Sequence, residues 1–276
     1  MILKRRLILI CLCFLIGAIP PAAAQESVGT IVPNHFWLGR PLPASAKLVP
    51  ELGYPFGWNK ANTTFTHHGV DLVNRRGTPV LAAAEGTVYY AGLDTERVFG
   101  EKPNFYGQLV IIQHDFDAPE GGRVFTLYGH LHTVSVESGM RVGAGQQIGT
   151  VGAKGVALGS HLHFEVRLGN PDDYGAVRNP ELWTAPLRGT GTLIARLINA
   201  DGTPAVGIRV TVTTADSVRH TFTYADGSVR SDPAYNENVA MGDLPAGCYR
   251  LRVRNRYDQV FCVKAGEATF VEAVLK

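Results

Sequence analysis

Several histidines and one aspartate in this sequence have the residue types and the spacing that a metal-binding or catalytic site requires. Nine histidines are present, and seven of them fall between positions 67 and 163. His161-Leu162-His163 lies in an alternating apolar run, and residues two apart on a strand share a face. We expect His161, His163 and Glu165 to face a groove, with Leu162 and Phe164 in the core. Two imidazoles on one face suit a ligand and its catalytic neighbour, although a surface strand with incidental histidines would show the same pattern.

A second cluster, His67-His68-Gly69-Val70-Asp71, places an imidazole and a carboxylate four residues apart, with a glycine that lets the chain bend. Imidazole and carboxylate ligands suit Zn²⁺, and three protein ligands leave a fourth position for water. His130 is the third element of this pattern. His68 competes with His67 as the ligand, but on an extended chain it would point to the face opposite Asp71.

Motifs of several other catalytic sites do not occur in this sequence. It contains no His-Glu-x-x-His helix, no Gly-x-Ser-x-Gly elbow and no phosphate-binding loop. The 276 residues are 45% hydrophobic with a formal net charge of +2, which excludes a disordered chain and argues against nucleic-acid binding through phosphate neutralisation. Four cysteines are too few for a disulfide scaffold of this size.

Short apolar strands separated by glycines, with no sustained helical spacing, predict an all-β protein with mainly antiparallel sheets. We expect an irregular arm over 25–50, which contains four prolines, and a first β domain over 51–186. A linker over 187–191 would lead to a small β-sandwich over 192–276, where alternating apolar residues are separated by turns.

The first 24 residues have the pattern of a secretory signal peptide. Lys4, Arg5 and Arg6 precede an apolar run over 7–19, and an Ala-x-Ala sequence follows it. An uncleaved anchor is the weaker alternative, because a membrane span needs about 20 apolar residues. Cleavage near Ala24 would remove three bases and no acid, so the formal charge of +2 would become −1. We therefore expect an exported protein that is extracellular, associated with the cell wall or periplasmic, without a stable membrane span.

The stretch from about 51 to 184 resembles the lysostaphin/LytM-type zinc endopeptidases, which cleave peptide bonds in bacterial peptidoglycan. The residues that carry the resemblance occur in the order of that family. They are His67-x-x-x-Asp71, Gly77-Thr78-Pro79-Val80, Ala82-Ala83-Ala84-Glu85-Gly86-Thr87-Val88, Tyr106-Gly107-Gln108-Leu109-Val110, Leu127-Tyr128-Gly129-His130-Leu131, Gly145-Gln146-Gln147-Ile148-Gly149 and Gly159-Ser160-His161-Leu162-His163-Phe164-Glu165.

This resemblance implies a barrel-like antiparallel β domain with a groove and one Zn²⁺ held by His67, Asp71 and His163. It also implies that His130 and His161 form the catalytic pair, with the division of roles between them open. The substrate would be the stem or cross-link peptides of peptidoglycan. A non-catalytic cell-wall-binding or regulatory module on the same fold is the alternative, and a biotinyl- or lipoyl-carrier-like domain ranks last.

Two further residues are weaker candidates for substrate contacts. Tyr128 could donate a hydrogen bond beside the groove or could equally be a core tyrosine. His132 shares a strand face with His130 but lies outside the motif. The loop over 93–105 is longer than the connection common in the family, and it would suit either the rim of a groove or a plain surface insertion.

The C-terminal stretch resembles the carboxypeptidase-regulatory-like or transthyretin-like sandwiches. The resemblance rests on residues 201–210 and 244–251, and it implies an accessory module. Such a module could bind cell wall or a protein partner, or act as a spacer. Cys248 and Cys262 flank an expected hairpin turn near 255–258, so they could form a disulfide in an exported protein. Two buried free thiols are the alternative.

Overall fold

The computed structural model describes residues 27–59, 63–224 and 227–276. The predicted signal peptide lies outside the described residues. Within these ranges the chain has no α-helix, and hence no helix long and apolar enough to cross a membrane. Two 3₁₀ turns, Tyr174–Ala176 and Pro180–Leu182, interrupt the strands. The prediction of an all-β fold with mainly antiparallel sheets is confirmed.

The strands are β1 (Thr30–Val32), β2 (Val70–Val73), β3 (Pro79–Leu81), β4 (Gly86–Leu93), β5 (Gln108–Asp117), β6 (Arg123–Gly129), β7 (Thr133–Val134), β8 (Arg141–Val142), β9 (Gln147–Thr150), β10 (His161–Leu168), β11 (Val177–Arg178), β12 (Thr190–Ile198), β13 (Arg209–Thr213), β14 (Val218–Phe222), β15 (Val239–Pro245), β16 (Gly247–Val253), β17 (Tyr257–Val263) and β18 (Ala268–Val274).

The first sheet has seven antiparallel strands, with β11, β10, β6, β5, β4 and β8 in order. The seventh strand, β2, pairs with the first half of β10, and β11 pairs with the second half of the same edge. A three-stranded sheet of β3, β9 and β7 packs beside it. Strand β10 therefore has hydrogen-bonded partners on both edges along most of its length.

Alternation along β5 explains why both faces of the first sheet are covered. Val110 and Ile112 join the main core cluster, whereas Leu109 and Ile111 join a separate cluster on the opposite face. Side chains on a strand alternate between faces, so a continuous apolar run can bury both of them. The second cluster also contains Tyr106, which lies next to the histidine face of β10.

The C-terminal half forms two facing sheets. One has the order β1, β18, β12 and β15, and the other has the order β14, β13, β16 and β17. Apolar side chains from both sheets form a second core. Cys248 on β16 lies opposite Cys262 on β17, and the two are joined by a disulfide.

The two halves of the chain pack closely. Ile194, Ala240 and Ala268, on the outer face of one sandwich sheet, belong to the same buried cluster as residues of the first sheet. Thr190 and Gly191, which we expected in a linker, already belong to β12. The arm is also more ordered than expected, because β1 within it pairs with β18 at the edge of the sandwich.

Candidate metal centre

Strand register brings Asp71 and His163 together. Asp71 on β2 is the direct antiparallel partner of His163 on β10. Directly opposed residues have Cβ atoms about 5 Å apart on one face of the sheet. Leu162 and Phe164, the neighbours of His163, point into the main core on the other face. The apolar alternation of β10 therefore fixes which side of the sheet carries the histidines.

His67 reaches the same point through Gly69. A Cβ atom added to Gly69 would clash with the carbonyl oxygen of Phe164 and would lie 2.9 Å from Cε1 of the His163 ring. The backbone at Gly69 thus lies in direct contact with β10. We had expected Gly69 to permit a bend, but its role is to allow this close approach.

Three possible ligand atoms converge at this position. Asp71 Oδ1 lies 2.9 Å from His163 Nδ1 and 3.1 Å from His67 Nε2, and the two nitrogens are 3.3 Å apart. Ligand atoms about 2.0–2.1 Å from a tetrahedral Zn²⁺ lie roughly 3.3 Å from one another, so the separations suit this ion. His67, Asp71 and His163 are also the one group of this kind that the described residues contain.

Buried polar groups hold the far side of His163. Its Nε2 lies 3.0 Å from Glu165 Oε1, which also accepts a hydrogen bond from the hydroxyl of Tyr106. The other oxygen of Glu165 accepts from Arg167 Nε at 2.7 Å, and both side chains are fully buried. A carboxylate on the second nitrogen of a ligating histidine fixes the orientation and tautomer of its ring.

The pKa values reflect this environment. Burial would lower the pKa of His163, but hydrogen bonds to Asp71 and Glu165 raise it to about 9. Burial would raise the pKa of Glu165, but the charge of Arg167 and the contact with His163 lower it to about 2. Burial would likewise raise the pKa of Asp71, yet His67 and His163 hold it well below its ordinary value.

His130 and His161 lie beside the three ligand atoms, with ring centroids 4.8 Å apart. His130 Nδ1 lies 2.7 Å from the carbonyl oxygen of Lys154, and His161 Nδ1 lies 2.9 Å from that of Gly159. A carbonyl accepts only from an N–H, so each ring carries its proton on Nδ1 and leaves Nε2 available as a base.

Burial favours the neutral form of both of these rings. Burial lowers the pKa of His130 to about 3, with His163 and His161 acting in the same direction. Burial also lowers the pKa of His161. His130 has a left-handed backbone conformation, with φ of 60°, at the point where the chain leaves β6. Such strain in a non-glycine residue is often found where a side chain must be aimed at a site.

A groove with a volume of about 800 Å³ opens over these residues. His67, Asp71, His130, His161 and His163 all line it. Its walls also carry aromatic and aliphatic side chains, which are Tyr54, Phe65, Val73, Phe105, Val156, Leu158 and Tyr174. Phe105, the last residue of the 93–105 loop, contacts Phe65 edge to face, with centroids 5.4 Å apart. The site can therefore receive an extended ligand that has apolar groups.

The structure corrects three interpretations. Tyr128 is fully buried, and its hydroxyl accepts from Ala83 N at 2.8 Å, so it cannot contact substrate. His132 does not line the groove, and its Nδ1 faces Arg76 at 3.0 Å. Glu165 was expected to face the groove but is fully buried beneath His163.

Sequence reasoning did not identify the groups that orient the histidines. Tyr106 and Arg167 hold Glu165, and the carbonyl of Tyr54 lies 2.6 Å from His67 Nδ1. One signal was available, because Glu165 and Arg167 place two charges on the histidine face of an otherwise apolar strand. The backbone carbonyls carry no sequence signal.

Peptidase family M23 is the family whose sequence model matches this chain, over residues 65–174. DD-carboxypeptidase/endopeptidase Mpg of Neisseria meningitidis serogroup B is 33% identical over 176 residues, which cover 59% of this chain and 35% of that protein. Murein hydrolase activator NlpD of Escherichia coli is 32% identical over 125 residues, which cover 45% of this chain and 27% of NlpD.

The chain thus spans about a third of the length of these curated relatives. The catalytic domain of lysostaphin from Staphylococcus simulans has 26% sequence identity and a TM-score of 0.36, covering 46% of this chain and 83% of that one. The family match includes the four histidines and the aspartate of the site, which are His67, Asp71, His130, His161 and His163. Residues 65–174 therefore form a Peptidase family M23 domain.

Proposed function

We propose that the protein is an exported zinc-dependent endopeptidase that hydrolyses peptide bonds in the stem or cross-link peptides of peptidoglycan. One observation carries the proposal, namely that three ligand atoms meet within 3.3 Å beside two neutral imidazoles on the floor of a groove. His67, Asp71 and His163 would hold one Zn²⁺. His130 and His161 would do the proton chemistry.

When bound, Zn²⁺ polarises a substrate carbonyl and lowers the pKa of a water ligand toward about 7. The residues of this chain supply the rest. The unprotonated Nε2 atoms of His130 and His161 can accept a proton from the attacking water. Once protonated, an imidazole can stabilise negative charge on the carbonyl oxygen and return its proton to the leaving amine. The carbonyls of Lys154 and Gly159 keep both Nε2 atoms available.

The shape and lining of the groove support a peptide substrate. The groove has a volume of about 800 Å³, and apolar side chains such as Phe65, Phe105 and Leu158 flank the histidines. Mpg is named as a DD-carboxypeptidase/endopeptidase, which supports a peptidoglycan peptide as the substrate. Which bond is cleaved would depend on the groove walls, to which the 93–105 loop contributes Phe105.

A regulatory role is the second candidate, because NlpD is named as a murein hydrolase activator. The two functions differ in their dependence on the metal. An endopeptidase would lose product formation in a chelator and regain it with added Zn²⁺. An activator would leave purified peptidoglycan intact and would increase cleavage only when a separate hydrolase was present.

The test is to incubate the purified protein with peptidoglycan and identify the released ends by mass spectrometry. We expect His163→Ala to lose both Zn²⁺ and product formation, and His161→Ala to retain Zn²⁺ while losing product formation. His132→Ala is the control, since its ring faces Arg76 outside the groove. Full activity of either His161→Ala or His163→Ala would refute the assignment.

A further inference from the structure

Residues 54–58 hold the segment that carries His67 through backbone hydrogen bonds. Gly57 N donates to the carbonyl of His67 at 2.7 Å, and His67 N donates to the carbonyl of Trp58 at 3.0 Å. The Tyr54 ring stacks on the imidazole of His67, with centroids 4.3 Å apart, and the Tyr54 carbonyl faces its Nδ1. Residues 54–58 therefore determine both the position and the ring orientation of His67.

The other side of residues 54–58 packs against the C-terminal sandwich. The Trp58 ring stacks on Phe222, at the end of β14, with centroids 3.5 Å apart and planes 6° apart. Phe56 contacts Tyr224 edge to face at 5.0 Å, and these two residues share a buried cluster with Val229. A Cβ atom added to Gly57 would clash with the side chain of Tyr224, so the backbone at Gly57 lies directly against that side chain.

His68 provides a second link to the sandwich. Its ring stacks on Tyr174 with centroids 3.7 Å apart, and its Nε2 lies 3.0 Å from the carbonyl oxygen of Ser228. The side chain is buried. Adjacent residues thus face in different directions, with His67 toward the three ligand atoms and His68 toward the second domain.

We infer that the C-terminal sandwich is a positioning element for the metal site and acts through residues 54–58 on His67. The sandwich residues Phe222 and Tyr224 are not among those lining the groove, yet they pack against the segment that aims a ligand. This inference rests on the proposed zinc site. It assigns to the second domain a role in metal affinity, in addition to the wall-binding, partner-binding or spacer roles expected from its sequence.

A purely structural role for the same contacts would have a different signature. Loss of packing in the sandwich would lower the free energy of unfolding and leave the Zn²⁺ affinity of the folded protein unchanged. Loss of positioning would weaken Zn²⁺ binding in protein that remains folded. The experiment must therefore measure both quantities on each variant.

The test measures Zn²⁺ affinity of the full chain by competition with a chromophoric chelator, together with urea unfolding in excess chelator. We expect Phe222→Ala to weaken Zn²⁺ binding about tenfold, the low end of the loss seen when groups that orient a ligand are removed. Phe222→Tyr keeps the stack on Trp58 and should restore wild-type affinity. Tyr257→Ala is the matched control, because Tyr257 is a half-buried aromatic residue of the same sandwich that packs against its core.

A double-mutant cycle gives a second criterion. Trp58→Ala should weaken Zn²⁺ binding to a similar degree. The Trp58→Ala/Phe222→Ala variant should bind Zn²⁺ no more weakly than either single variant, because each single substitution already removes the same contact between the two rings. If Phe222→Ala does not fold, Phe222→Leu replaces it in the same series. Wild-type affinity in the folded Phe222 and Trp58 variants would overturn the inference alone, whereas absence of Zn²⁺ binding by the wild type would overturn it together with the proposed function.

Discussion

The hydrogen bonds of Glu165 make Glu165→Gln an informative substitution. The carboxylate receives three donors, from His163 and Tyr106 on one oxygen and from Arg167 on the other. An amide has the same shape but only one acceptor oxygen. Whichever way the introduced amide is placed, its NH₂ group faces a donor. The orientation that keeps the contact with His163 leaves the guanidinium of Arg167, fully buried, without a carboxylate partner.

The cost to stability can be worked out in two ways. The difference between the ordinary carboxyl pKa of 4.5 and the value of about 2 corresponds to about 3 kcal/mol of stabilisation by the charged form. Breaking a buried ion pair by removing one partner costs about 3–5 kcal/mol. We therefore expect Glu165→Gln to lower the free energy of unfolding of the metal-free protein by about 3 kcal/mol.

The same change should weaken Zn²⁺ binding. Loss of a carboxylate behind a ligating histidine typically costs about 10- to 100-fold in metal affinity. We expect about tenfold for Glu165→Gln, because the amide oxygen can still accept from His163, and a larger loss for Glu165→Ala. Peptidoglycan cleavage should recover at raised Zn²⁺ concentration, since the groove itself is unchanged.

Urea unfolding in excess chelator and chelator competition measure the two effects. Glu181→Gln is the matched control, because Glu181 is an acid between the two halves of the chain that accepts from Gly242 N and contacts no histidine. Folded Glu165→Gln protein with unchanged Zn²⁺ affinity would show that the carboxylate does not orient His163. Unchanged stability would show that the Arg167 charge finds another partner.

Three further predictions concern the same framework. Gly69→Ala should abolish Zn²⁺ binding, because its Cβ would meet the His163 ring and the Phe164 carbonyl, whereas Gly143→Ala, in open space, should bind Zn²⁺ normally in the same titration. In metal-free protein, the depressed pKa values of Asp71 and Glu165 contribute stability that is present above about pH 4 and lost as the pH falls toward 2. The raised pKa of His163 contributes stability that is present below about pH 6.5 and lost as the pH rises through about 9; urea unfolding across this range, in chelator, tests both signs. Reduction of the disulfide between Cys248 and Cys262, which are separated by 14 positions, should lower the free energy of unfolding by about 3 kcal/mol, and an unchanged urea midpoint would contradict this.

The overall class of the fold could be predicted because it depends on local patterns, whereas the grouping of His67 and Asp71 with His163 was implied by the family resemblance, since it depends on the pairing of β2 with β10. Alternation of apolar residues in β10 defines a strand with His161 and His163 on one face. Spacing in the His67–Asp71 segment then suggests a second contribution to the same site. Both patterns involve residues that are close in sequence, so they can be recognised without knowing how the rest of the chain folds.

The supporting contacts could not be predicted because they depend on register and long-range packing. Tyr128 lies on the face of β6 that packs into the core. Because side chains on a strand alternate between its two faces, an error of one residue in the assumed facing turns a buried side chain into an expected substrate contact. Lys154 and Gly159 act through their backbone carbonyls, for which the side chain gives no signal. The contact of Trp58 with Phe222 joins positions 164 residues apart in sequence.

The two histidines of the proposed zinc site are supported in physically different ways, and this difference has consequences for how variants should behave. His163 lies on a strand that has partners on both edges, above a buried ion pair contributed by Glu165 and Arg167 of the same strand. A change there should reduce stability and Zn²⁺ affinity together. His67 lies on an irregular segment held by stacking and backbone contacts between the groove and the sandwich. A change there should reduce Zn²⁺ affinity with a smaller effect on stability, because no buried charge loses its partner. A plot of the loss of Zn²⁺ affinity against the loss of unfolding free energy should therefore separate the variants around His163 from those around His67.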